Sequence, residues 1–94
     1  MQSKQIDTVI RGGTVVTPLG VAVQDIAIAE GKISELSNTI TSSTPTEIDA
    51  RGLLVMPGGV DTHCHIEQMS GAGLMNADTF RTATRSAAMG GTTT

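Results

Sequence analysis

Leu53-Leu54-Val55-Met56-Pro57-Gly58-Gly59-Val60-Asp61-Thr62-His63-Cys64-His65 combines an apolar run, a Pro-Gly-Gly break and two histidines two residues apart. A short continuous apolar run of this kind fits a strand buried on both faces, as in a parallel sheet. Side chains alternate along a strand, so Asp61, His63 and His65 are expected on one face, with Thr62 and Cys64 on the other. His63 and His65 can then present both imidazoles to one cation, since imidazole suits Zn²⁺, Fe²⁺ and Ni²⁺. Asp61, behind them, could orient a histidine ring.

Downstream, residues 66–76 read as a long Gly-containing loop. Residues 77–89 follow as the one clear helix, with Phe80, Ala83, Ala87 and Ala88 at helical spacing. Asn76 is a natural N-cap and Asp78 sits where negative charge favours a helix start. Gly90 is suited to a left-handed C-cap. Thr92, Thr93 and Thr94 look like the opening of another strand. Strand, loop, helix and strand make a βαβ unit, and the histidines then lie at the carboxyl end of a parallel strand, where α/β barrels build their active sites.

Upstream, the chain reads as short strands and turns. Residues 6–11 and 14–17 are β-branched runs around Gly12-Gly13, a hairpin pattern. Pro18-Leu19-Gly20 is the next turn, residues 21–29 a strand, Glu30-Gly31 a turn and residues 32–36 another strand. Residues 37–46, rich in Ser and Thr, read as a loop, and residues 47–50 as a short strand. Hairpins without helix suggest half of a β-sandwich over residues 1–52, with residues 53–94 a separate α/β piece.

Composition narrows the function. The chain has 94 residues, too few for a closed α/β barrel. Phe80 is the one aromatic residue and the net charge is −3, with six scattered basic residues. Neither stacking platforms nor a basic face for nucleic acid or an acidic membrane is expected. Cys64 is the one cysteine, so no intrachain disulfide is expected, and no leader or membrane-spanning run is evident. A reducing cytoplasm is the expected compartment.

Each candidate has a plainer reading. Cys64 is a possible ligand, but a buried thiol acting as a small hydrophobe is the simpler account. Met69, Leu74 and Met75 could line a substrate pocket or simply pack the loop. Glu67 and Gln68 could reach a substrate. Arg81 and Arg85 read as a solvated helix face. Two histidines do not complete a catalytic metal site, which usually has three protein ligands and water. The site is therefore finished by other residues, or the pair is incidental to a free-standing β module.

The segment Pro57-Gly58-Gly59-Val60-Asp61-Thr62-His63-Cys64-His65-Ile66 resembles the start of the barrel in cyclic amidohydrolases. Ala77-Asp78-Thr79-Phe80 and Ala87-Ala88-Met89-Gly90-Gly91-Thr92-Thr93-Thr94 are similar to the helix and second strand that follow in hydantoinases and dihydropyrimidinases. Ile10-Arg11-Gly12-Gly13-Thr14-Val15-Val16 and Glu30-Gly31-Lys32-Ile33 resemble their opening hairpins. The resemblance implies an N-terminal fragment, inactive by itself, of a longer enzyme. Residues 1–52 would be part of a small β-sandwich, and residues 53–94 the first βαβ unit of a (β/α)₈ TIM-type barrel. It implies two divalent metal ions, usually zinc, with His63 and His65 as ligands and the bridging lysine, two further histidines and an aspartate supplied downstream. The implied reaction is hydrolysis of a hydantoin or dihydropyrimidine ring by a homo-oligomer, dimeric or tetrameric, with residues 69–75 near the ring substituent. Allantoinase and dihydroorotase share this framework, and non-catalytic relatives act as scaffolds.

Overall fold

The computed structural model describes residues 5–42 and 46–94. The chain divides into two compact units, Met1–Met56 and Pro57–Thr94.

The first unit is one mixed sheet. Strand β1 (Thr8–Thr17) pairs antiparallel with β2 (Gly20–Ala29), and β2 antiparallel with β3 (Lys32–Ser37). On its other edge β1 takes two parallel partners in succession, β4 (Thr46–Asp49) and β5 (Leu54–Val55). The turns follow from local chemistry. Thr17 pairs with Gly20 across Pro18-Leu19, and the Thr17 Oγ1 accepts from the Leu19 amide at 3.2 Å. Glu30 and Gly31 both have positive φ, 53° and 74°, which suits the tight primed turn that matches strand twist. Of the expected loop 37–46, residues 43–45 lie outside the described residues, Ser37 closes β3 and Thr46 opens β4.

Two expectations are corrected here. Gly12-Gly13 is not a hairpin turn: β1 runs straight through it, and the register with β2 slips between Ile10 and Gly13 as a β-bulge. The bulge falls where the opposite neighbour changes. β4 ends opposite Arg11, the chain steps through residues 50–53, and β5 resumes opposite Thr14. The Ala50 amide donates to the Arg11 carbonyl at 2.8 Å, and the Thr14 amide to the Leu53 carbonyl at 2.9 Å, stitching both sides of the step. Glycine is required at both positions by crowding. A Cβ on Gly13 would lie 2.5 Å from Val55 Cγ2, and one on Gly12, at φ 67°, would lie 2.7 Å from Arg51 Cγ.

The second correction concerns the run at residues 53–56. It is not a strand buried on both faces and does not open the second unit. Leu54 and Val55 form the short edge strand β5 of the first sheet, and Leu53, Leu54 and Met56 are exposed. The boundary thus falls after Met56, four residues later than the change of character at Gly52.

The core of this unit lies on one sheet face, where Val9 and Ala27, partners across β1 and β2, are sealed by Ile40 and flanked by Ile6. Ile40 comes from the segment expected to be a plain loop. It is held by Asp25, a buried carboxylate that accepts from the Ile40 amide at 3.0 Å, the Gly12 amide at 2.8 Å and the Arg11 guanidinium at 3.1 Å. Arg11 in turn donates to the carbonyls of Ile40 and Ser42 and to Glu47. The Ile40 amide first, then the Gly12 amide and Arg11, hold the Asp25 carboxyl below its ordinary range despite its burial. The cross-strand row Leu36, Ile26, Ile10 and Ile48 lies on the opposite face, with Leu36 and Ile48 exposed.

The second unit pairs its two ends. Gly59 and Thr92 form a parallel bridge. The Gly59 amide donates to the Gly91 carbonyl at 2.7 Å, the Thr93 amide to the Gly59 carbonyl at 2.9 Å and the Asp61 amide to the Thr94 carbonyl at 2.8 Å. Gly58 is needed because a Cβ there would sit 2.0 Å from Thr93 Oγ1. Helix α1 (Phe80–Met89) connects these ends. It starts three residues later than expected, with Thr79 rather than Asn76 as N-cap and Thr82 completing a reciprocal capping box. At its other end Gly90 has φ −90°, and Gly91, at φ 92°, takes the left-handed conformation. Residues 69–75, expected as an irregular loop, close into a small hairpin. Met69 and Met75 bridge antiparallel, and the Ser70 amide donates to the Leu74 carbonyl at 2.7 Å.

Candidate functional site

His63 and His65 bring their Nε2 atoms to 3.0 Å, with ring centroids 5.0 Å apart and planes inclined by 46°. The route to this geometry is not strand alternation. Residues 61–65 bend rather than form a strand, because the Asp61 Oδ1 accepts from the His63 amide at 3.0 Å and turns the chain locally. Asp61 therefore meets the main chain of His63, not an imidazole.

The ring contact is made by Gln68. Its Oε1 accepts from His65 Nδ1. The chain reaches back to His65 because Glu67 takes a left-handed φ of 51°, unusual for a residue with a side chain. Asn76 fixes the return, its Nδ2 donating to the His65 carbonyl at 2.8 Å and its amide to the Gln68 carbonyl at 3.0 Å. The Glu67 carboxylate accepts from the Phe80 amide at 3.1 Å, so it supports the start of α1. The sequence carries a weak signal for these two roles, an acidic residue and an amide two and three residues after the second histidine, but none for the turn that aims them.

The other candidates separate. Cys64 is exposed rather than buried, and it lines both an apolar cleft beneath α1, with Ile66, Ala83 and Ala87, and a shallow depression shared with Gln68, Met69 and Phe80. Met69 touches that depression, whereas Leu74 and Met75 stand exposed outside it.

Two imidazole nitrogens at 3.0 Å suit chelation. Zn–N bonds of about 2.0–2.1 Å at a tetrahedral angle place two ligand nitrogens about 3.3 Å apart. His65 donates at Nδ1, so its Nε2 keeps the lone pair that a cation needs. Among the described residues no third His, Cys, Asp or Glu joins the pair. The geometry provides two donors of a larger set.

No protein-family model matches the chain. A D-hydantoinase of Rhizobium radiobacter is 46% identical over 89 residues, covering 95% of this chain and 19% of that protein. A D-hydantoinase structure from Bacillus sp. AR9 superposes with a TM-score of 0.83 at 41% identity, covering 92% of this chain and 18% of that one. The chain belongs to the hydantoinase family. It matches the N-terminal region of those enzymes and spans about a fifth of their length. Further out in this hydantoinase-related group lies an allantoinase of Rubrobacter xylanophilus, 42% identical over 93% of the chain and 18% of that protein. An N-acyl-D-glutamate deacylase of Bordetella bronchiseptica, complexed with zinc and a phosphonate inhibitor, has a TM-score of 0.61 at 26% identity over 70% of the chain and 14% of its own.

Proposed function

We propose that the chain is the N-terminal part of a metal-dependent hydrolase that opens a cyclic amide, a hydantoin or a dihydropyrimidine, and that the 94 residues alone are inactive. The observation that carries this reading is the convergence of His63 and His65 Nε2 at 3.0 Å, in a chain whose relatives include a D-hydantoinase and an allantoinase. In this reading His63 and His65 hold one of two divalent ions, and zinc is favoured by the deacylase complexed with it. A bound ion would supply Lewis acidity and an activated water at neutral pH. The chain's own contribution is to hold two imidazoles with their Nε2 atoms converging. Met69 and the hairpin that ends at Met75 stand near the ring substituent, with Leu74 exposed on the returning arm.

The first unit belongs in this reading to a β-sandwich, and the parallel bridge of Gly59 with Thr92 around α1 is the first βαβ unit of a (β/α)₈ barrel. The whole protein would act in the cytoplasm as a homo-oligomer on a small cyclic amide. No helix among the described residues is long and apolar enough to cross a membrane.

The test is turnover of hydantoin, dihydrouracil and allantoin by the full-length protein, before and after treatment with a chelator. Ring opening of hydantoin or dihydrouracil, lost on chelation and restored by zinc, is the expected result. Turnover of allantoin alone would move the protein to the branch of its allantoinase relative. No turnover of any of them would leave the non-catalytic scaffold, which the intact histidine pair argues against.

A further inference from the structure

Gln68 occupies the position from which the orientation of His65 is decided. An imidazole has two nitrogens, and whichever one donates a hydrogen bond leaves the other to bind a cation. In this chain the Gln68 Oε1 accepts from Nδ1, which assigns the proton to Nδ1 and the lone pair to Nε2, the atom that faces His63 at 3.0 Å. The amide oxygen is not there by chance of a free side chain. Its backbone is fixed by the Asn76 amide, and the same Asn76 holds the His65 carbonyl, so ring and acceptor are clamped by one residue. The left-handed Glu67 between them makes the reversal that the contact needs.

We propose that Gln68 is a positioning residue for the metal centre, holding His65 as its Nδ1–H tautomer with Nε2 directed at the divalent ion. This rests on the metal-binding reading above. An outer partner of this kind raises the basicity of the ligand and fixes its ring, and losing one typically weakens metal affinity about 10- to 100-fold.

The experiment compares full-length wild type with Gln68→Met and Gln68→Glu. Gln68 is exposed, so neither change should disturb the fold, and a thermal melt of each variant verifies that. Zinc affinity is read by competition with a chromophoric chelator. The His65 tautomer is read from ring ¹⁵N shifts in a long-range ¹H–¹⁵N spectrum of metal-free protein. Gln68→Met should weaken zinc binding at least tenfold and release His65 from the Nδ1–H form. Gln68→Glu, which keeps an acceptor oxygen, should retain both. Wild-type zinc affinity and an unchanged tautomer in Gln68→Met would overturn the proposal, as would a Gln68→Glu variant no better than Gln68→Met. A wild-type protein that binds no zinc would instead overturn the metal-binding reading, while the tautomer comparison still reports on Gln68.

Discussion

Asp25 shows how one residue joins parts of the chain that are remote in sequence. Its carboxylate ties the bulge at Gly12 to the cap of the core at Ile40, with Arg11 as counter-ion. Asp25→Asn removes the charge while keeping one acceptor oxygen, and should destabilise the full-length protein by about 3 kcal/mol in a urea titration at pH 7. The carboxyl pKa is lowered on folding, so its contribution is complete above the ordinary value of 3.8 and disappears as pH falls through the folded value. The gap between wild type and Asp25→Asn should therefore shrink below that pH, and a gap that stays constant would contradict the assignment. Asp49, pulled down to about 2 by Arg51, titrates in the same window, but that pair is exposed and contributes little. Gly13 tests the close approach of strands. Gly13→Ala places a methyl 2.5 Å from the stiff Val55 side chain and should cost about 1–3 kcal/mol. Gly71→Ala, with open space around it, should be nearly neutral, both variants being read in the same urea titration.

At the scale of elements, α1 depends on its cap. Thr79→Ala removes the Oγ1 that accepts from the Thr82 amide, while the Thr79 amide can still donate to Thr82 Oγ1, and should cost about 1 kcal/mol, measured as a lowered melting temperature. An Asn76→Ala change would leave that cap intact and instead release the His65 carbonyl, while the Asn76 amide could still donate to Gln68. Legibility in the sequence divides along the same line. The Glu30-Gly31 turn and the body of α1 were readable because their signals are local. Gly12-Gly13 is ambiguous in the sequence because a bulge and a hairpin turn use the same residues, and Asp25 and Arg51, which decide between them, come from elsewhere in the chain. The helix start is ambiguous in the sequence because Asn76 and Thr79 are both good caps, and the contact of Asn76 with the His65 carbonyl settles the choice. The histidine pair was legible from its spacing, although the bend at Asp61, not strand alternation, brings the rings together. The contact of Gln68 with His65 is not legible, since a left-handed Glu67 leaves no mark in the sequence.

At the scale of the molecule, the described sheet has one sealed face and one that leaves Ile33, Leu36 and Ile48 open. Covering each would stabilise the protein by roughly 1.5–3 kcal/mol, an amount the 94 residues forgo in isolation. The chain by itself should bind an apolar dye and unfold over a broad range, whereas the full-length protein should exclude the dye. A sharp thermal transition of the 94 residues in metal-free buffer would favour a free-standing module. The same logic holds for the site, where two imidazoles converge without a third donor among the described residues. The most direct test is the zinc content of purified full-length protein, wild type against a His63→Ala, His65→Ala double variant. Wild type should keep zinc through dialysis and the double variant should lose bound metal. Equal zinc in the two, or none in wild type, would contradict the assignment of this pair to a hydrolytic metal centre.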